Sequence, residues 1–142
     1  MKTLALVQGD LSPAPGGYLL IEGAAKIHQD LSLALREAYG ADTLHPRWGS
    51  ILQQLIGSPI TAQLRGQILT EINRVISNYI TVQNAKIVQD STTGNTSSMT
   101  TDDVVQSISN IQAQQVYDSL VVSVTLQTLS QQTVNINQVM TS

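Results

Sequence analysis

The sequence predicts an α+β fold, with short N-terminal strands and a helical half followed by a small antiparallel β-meander. Three observations predict it. Residues 24–39 repeat apolar side chains at three- and four-residue steps, the period of a helix. Residues 119–129, "SLVVSVTLQTL", alternate apolar and polar side chains, the period of a strand. The two patterns occupy separate blocks instead of alternating, which is the order of an α+β chain. The 142 residues make one domain with room for a core. Aromatic residues are only 4% and Phe is absent, so that core must be built from Leu, Ile and Val.

At the N-terminus, "TLALVQ" (3–8) and "YLLIE" (18–22) are short apolar runs around "GDLSPAPGG", a cluster of turn formers. They predict a loose hairpin or two short strands. In the helix at 24–39, Ile27, Leu31, Ala34, Leu35 and Ala38 share one face, and Gly40 is expected to stop it. The loop "ADTLHPRWGS" follows. Pro46 and Gly49 shape its turn, and Ser50 is placed to cap a short helix, "ILQQLIG", with Ile51, Leu52, Leu55 and Ile56 inward. His45 is expected to make a loop hydrogen bond, and Trp48 to pack between the helix at 24–39 and a long helix from residue 61. That helix carries Leu64, Ile68, Ile72, Val75, Ile76 and Tyr79 on one face; Ile80, Ile87 and Val88 extend it to about residue 88, whereas Ile80 and Val82 also alternate like a strand. "STTGNTSSMTT" (91–101) reads as an exposed loop. Thr101 would cap a short helix through "DDVVQSIS". "NIQAQQVY", "SLVVSVTLQTL" and "TVNINQV" complete the meander. The domain thus divides into 1–90 (hairpin and helices), 91–101 (loop) and 102–142 (short helix and strands).

Composition excludes several functions. Net charge is −3, which gives little footing for nucleic acid. There is no Cys, so disulfides and thiolate metal sites are excluded. The apolar run Leu4–Val7 is shorter than the roughly 7–15 residues of a signal peptide, so export is not expected. No run approaches the roughly 18 residues of a membrane span. His28 and His45 are too far apart for a local metal motif, and no phosphate-binding or nucleophile motif occurs. Glu22, Asp30 and Glu37 could in principle serve acid–base chemistry, but such spacing describes any solvated helix face. No catalytic, cofactor or metal residue is expected, and no small-molecule substrate.

The remaining features concern assembly. All seven Lys and Arg lie at or before Lys86, and residues 116–142 contain no Lys, Arg or Pro. Those residues commonly guard sheet edges. Their absence leaves two options: a covered edge, or pairing with another chain's strand. Leu120, Val122, Val124 and Leu126, on one face of the clearest strand, are therefore interaction candidates. Glu71 and Arg74, three apart on the long helix, are the other candidates. They form either an ordinary intrahelical pair or a subunit contact.

The segments "KIHQDLSLALREAYGADTLHPRWGSILQQLIG" and "ILTEINRVISNY" resemble the contractile-tail baseplate wedge family, named for the T-even phage gene-25 product and including the TssE subunit of type VI secretion. The likeness rests on Gln29-Asp30-Leu31, on the aromatic-Gly-Ser step Trp48-Gly49-Ser50, and on the order of elements. The family's Glu-Pro-Arg motif corresponds to Glu71-Ile72-Asn73-Arg74, which lacks the Pro and is one residue longer. The resemblance implies a structural role without enzymatic activity. The partners it implies are larger wedge subunits, tail tube or hub proteins, and sheath protein whose first ring assembles on offered strands. It implies a place in the virion tail baseplate, assembled in the host cytoplasm. Alternatives are a peptidoglycan-degrading lysozyme, a label the family has carried, and a small adaptor in a tail-like secretion machine.

Overall fold

A computed structural model describes residues 2–7, 10–94 and 99–141. The α+β order holds, with the N-terminal strands, the helices and the sheet in the expected sequence.

The N-terminus is more elaborate than a loose hairpin. β1 (Thr3–Leu4) pairs antiparallel with β6 (Leu20–Ile21). Two further hairpins branch off between them: β2 (Leu6–Val7) with β3 (Asp10–Leu11), and β4 (Pro13–Ala14) with β5 (Gly17–Tyr18). The expected turn segment thus carries strands of its own. The branches meet at Ala5, Ser12 and Leu19, whose backbones close a ring. Ala5 N–H donates to Leu19 C=O at 2.8 Å, Leu19 N–H to Ser12 C=O at 2.9 Å, and Ser12 N–H to Ala5 C=O at 3.0 Å. The junction thereby satisfies groups that the strands leave over. Gln29 of the first helix ties the lobe down. Its amide accepts from Leu6 N–H at 2.8 Å and donates to Leu4 C=O at 2.9 Å, standing in for a neighbouring strand.

α1 (Gly23–Arg36) buries Ile27, Leu31, Ala34 and Leu35 as its period predicts. It ends at Arg36, short of the expected Gly40, because Glu37 turns extended and Ala38 forms a parallel bridge with Ser50. α2 (Leu52–Leu55) is shorter than expected; Leu52 is buried, Leu55 half-buried, and Ile51 and Ile56 are exposed. Ser50 does not chiefly cap it. The Ser50 hydroxyl donates to Leu35 C=O at 2.7 Å, and Leu52 N–H reaches it only at 3.4 Å. α3 (Ala62–Thr92) starts at a true cap, with Thr61 Oγ1 accepting from Leu64 N–H at 3.1 Å. It runs four residues past the expected end, and at about 1.5 Å per residue it is about 46 Å long.

Of the loop expected at 91–101, residues 91 and 92 belong to α3, and 95–98 lie outside the described residues. The short helix expected over 102–109 is absent. A turn at 101–103 leads directly into β7 (Val105–Val116), which pairs with β8 (Ser119–Thr128), and β8 with β9 (Thr133–Thr141), all antiparallel. One face of this sheet lies on α1 and α3. Leu120, Val122, Val124, Leu126, Val134, Ile136 and Met140 join Ile27, Leu31, Ile68, Ile72 and Ile76 in a single core. Each such buried aliphatic side chain contributes about 1.5–3 kcal/mol.

Two polar side chains fasten the helices to the sheet. Gln83 accepts from Val105 N–H at 2.9 Å and donates to Val105 C=O at 3.0 Å. Asp103, fully buried, accepts from Gly23 N–H at 2.7 Å and Thr100 N–H at 3.0 Å.

Candidate functional site

The loop between α1 and α2 is clamped onto α3. At its base, Ser50 N–H donates to Glu37 C=O at 2.8 Å and Tyr39 N–H to Ser50 C=O at 3.0 Å. Gly49 makes this close approach feasible. Its φ is +91°, and an added Cβ would stand 2.6 Å from the Ala38 carbonyl oxygen. From α3, Glu71 reaches up with Oε1 accepting from Ile51 N–H at 3.0 Å. Arg74 holds Glu71 through two bonds, Nε to Oε2 at 2.9 Å and Nη2 to Oε1 at 2.6 Å, and donates to Gly49 C=O at 2.9 Å. Its guanidinium lies 4.8 Å from the centre of the Tyr39 ring, a cation–π contact.

Within the chain, Glu71 and Arg74 have partners beyond each other. Glu71 is 6% exposed, and the partners of both side chains lie within the chain. The pair is an internal clamp, more than a simple intrahelical ion pair. Burial pushes the Glu71 carboxyl up, but the Arg74 hydrogen bonds, the Ile51 N–H and the Arg74 charge outweigh it and hold the carboxyl below its ordinary value.

Beside the clamp, half-buried Trp48 sits against the Tyr79 ring at 6.3 Å, and lines one cavity with Asp30, Leu33 and Glu37 of the α1 side. This is the expected position between the two helices. Asp30 accepts from the Tyr79 hydroxyl at 3.1 Å and pairs with the Lys26 ammonium. Burial, with the Asp30 charge adding to it, pushes the Tyr79 phenol well above its ordinary pKa. His45 makes its loop bond to Asp42 at 2.8 Å and is exposed, as is Pro46. The hydrogen bonds from His45 and Leu44 N–H hold the Asp42 carboxyl low.

The strand candidates need correction. Leu120, Val122, Val124 and Leu126 are buried in the core, and β8 is the central strand, so both its edges are already paired. The period-two stripe marked the inner face, not an interface. The open edges belong to β7 and β9.

Asp42, Glu71 and Asp103 are all held below the ordinary carboxylate value by the hydrogen bonds they accept. Among the described residues, no group of three or more His, Asp or Glu side chains could hold a metal ion, and no helix is long and apolar enough to cross a membrane.

No known family profile and no curated protein matches the chain. A solved structure does. It is a Geobacter sulfurreducens protein to which a tail-lysozyme identity is assigned but not demonstrated, 12% identical, with a TM-score of 0.57 over 87% of this chain and 95% of that one. At such identity the likeness is one of fold alone.

Proposed function

We propose that the chain is a structural component of a phage tail baseplate. It acts as a wedge subunit that docks onto larger baseplate proteins around the tail tube and serves as the platform on which sheath assembly begins. The observation that carries this reading is the C-terminal sheet. One face is committed to the chain's own core, while β7 and β9 leave open edges without a Lys, Arg or Pro to guard them. A tail setting is supported by the fold likeness and by the motif resemblance at Gln29–Leu31 and Trp48–Ser50. Docking onto larger neighbours is supported by the N-terminal lobe, where the paired residues Leu4 and Leu20 are each about half exposed. The partners are wedge subunits, tube or hub proteins and sheath protein.

The test is deletion of the chain from a complete tail gene set, with particles imaged by cryo-electron microscopy. Tubes without sheath are expected, and normal sheathed tails without the chain would refute the proposal.

A second reading, a peptidoglycan-degrading enzyme, is favoured only by the name given to the fold neighbour. Purified protein is expected to leave cell-wall suspensions turbid. Clearing that disappears on Asp30→Asn or Glu37→Gln would instead establish the enzyme.

A further inference from the structure

We infer that the groove between the N-terminal lobe and α1 receives an amphipathic helix of another protein, whose aliphatic side chains cover Leu6, Ile21 and Leu33 and whose carboxylates meet His28 and Arg36. This rests on the structural reading above. It names a docking surface on the helical half, away from the sheet edges, and the chemistry of its occupant.

The side chains of α1 divide into two faces. Ile27, Leu31 and Leu35 form the buried stripe, but Leu33 stands off it and remains 37% exposed. At about 100° per residue, Leu33 falls on the opposite side of the helix, with Ala25, His28, Ser32 and Arg36. That side is one wall of a groove of about 300 Å³. Leu6 of β2 and Ile21 of β6, both half-buried, form the facing wall. The groove is therefore apolar along its length, and Leu33 is an aliphatic side chain that the chain's own core does not use.

Two basic side chains flank it. His28 and Arg36 are exposed, and neither side chain has a hydrogen bond or ion pair among the described residues. His28, Ser32 and Arg36 follow at four-residue steps, so they share one strip of α1, with the outer two about 12 Å apart. Two carboxylates about two helical turns apart on a partner helix match that spacing.

The backbone groups around the groove select the shape of the occupant. Leu6 N–H and Leu4 C=O, which border it on the lobe side, are already held by the Gln29 amide. The interior of α1 has no spare backbone groups. An extended segment laid here would bury its own N–H and C=O groups unpaired, a costly outcome. A helix satisfies its backbone internally and offers side chains alone, the mode of an amphipathic helix in an apolar groove.

A second copy of this chain fits poorly. The one carboxylate within α1, Asp30, is taken by Lys26 and Tyr79. α3 carries only buried Glu71 and Asp90, and α2 has no acid. None of these helices presents two free acids over an aliphatic stripe, so the occupant is a different protein.

The test places a photo-crosslinking residue at Ala25, an exposed position at the groove, in full-length protein assembled into tails, and sequences the cross-linked peptide. The expected peptide belongs to another protein. It carries aliphatic residues at three- and four-residue steps and two Asp or Glu about two turns apart. Changing those acids to Lys in the partner is expected to lower incorporation of the chain about ten-fold, because like charges then face each other. The double variant His28→Glu and Arg36→Glu is expected to restore it. Leu33→Glu, at a site already exposed, is expected to lower incorporation by a similar factor, with a melting temperature within about 5 °C of wild type.

Three results would overturn the groove assignment and leave the baseplate role intact. The first is a cross-link to a second copy or to a segment without acids. The second is no cross-link from an Ala25 variant that incorporates normally. The third is normal incorporation of both Leu33→Glu and His28→Glu. Absence of the wild-type protein from tails would instead refute the role itself.

Discussion

Gly49→Ala is the most informative single change to the clamp. The substitution has two costs. At φ +91° an L-residue enters left-handed space, which costs about 1–2 kcal/mol. The new Cβ would also stand 2.6 Å from the Ala38 carbonyl oxygen and 2.8 Å from both the Ala38 carbonyl carbon and the Glu37 oxygen. These are backbone atoms, so they cannot rotate away. The loop must lift, which breaks Ser50 N–H to Glu37 C=O and Tyr39 N–H to Ser50 C=O, each worth about 0.5–1.5 kcal/mol net. The total is about 2–5 kcal/mol, a large share of the roughly 5–15 kcal/mol available to a domain. Urea unfolding followed by circular dichroism and by Trp48 fluorescence measures it. Gly57→Ala is the control, since Gly57 has φ +86° with nothing within 4 Å, and only the conformational cost of about 1–2 kcal/mol should appear. A Gly49→Ala loss no larger than the Gly57→Ala loss would refute the close-approach argument.

Arg74→Ala leaves a buried carboxylate with the Ile51 N–H alone. A loss of about 1–3 kcal/mol is expected in the isolated protein, reduced from fully buried values because the Arg74 side chain is 37% exposed; an unchanged melting temperature with failed incorporation into tails would reinstate the subunit contact. Gln29→Ala removes both the acceptor for Leu6 N–H and the donor to Leu4 C=O, and about ten-fold faster exchange of the Leu6 amide is expected, with α3 unaffected; unchanged exchange would show that Gln29 is not the tether. Tyr117, 92% exposed at the β7–β8 turn, has φ +56°, so Tyr117→Asn is expected to stabilise the chain by about 0.5–1 kcal/mol; destabilisation would show an unrecognised contact.

Burial pushes the Asp103 carboxyl up, but hydrogen bonds, including those from Thr100 and Gly23, bring it down to about 2, and Glu71 is also held low. With unfolded values of about 4, their stabilisation is complete above that range and is lost as pH falls towards 2. Denaturant titrations from pH 7 to 2.5 should show this decline, flattened by Asp103→Asn, and a flat profile below pH 5 would contradict it.

The features that could be read from the sequence were those with a local period. The stripe of α1 and the alternation of β8 each report one face of one element, and both faces proved to be core. β7 was hidden by its own irregularity. Its inward residues Val105, Ile108 and Ile111 are spaced by three because Gln106 and Ser109 are bulged out, so the segment mimics a helix. The early end of α1 is set by the Ala38–Ser50 bridge, a pairing across twelve residues that no local signal records. Similarly, Glu71 and Arg74 were legible as neighbours, but Gly49 C=O and Ile51 N–H, more than twenty residues before Arg74, were not. The stripe of β8 shows the same limit: alternation identifies a buried face, while an open edge is a property of strand order.

The three-way junction at Ala5, Ser12 and Leu19 has a practical corollary. Because its ring of hydrogen bonds belongs to the branch point alone, each arm is insulated from changes in the length of the other. The β4–β5 arm ends in an exposed turn at Pro15-Gly16, with open space around Gly16. A short peptide tag inserted there would lengthen one arm without shifting the register of the other or of β1 with β6. The molecule thus carries its own handle, on a lobe outside the C-terminal sheet, by which it could be labelled and located inside an assembled particle.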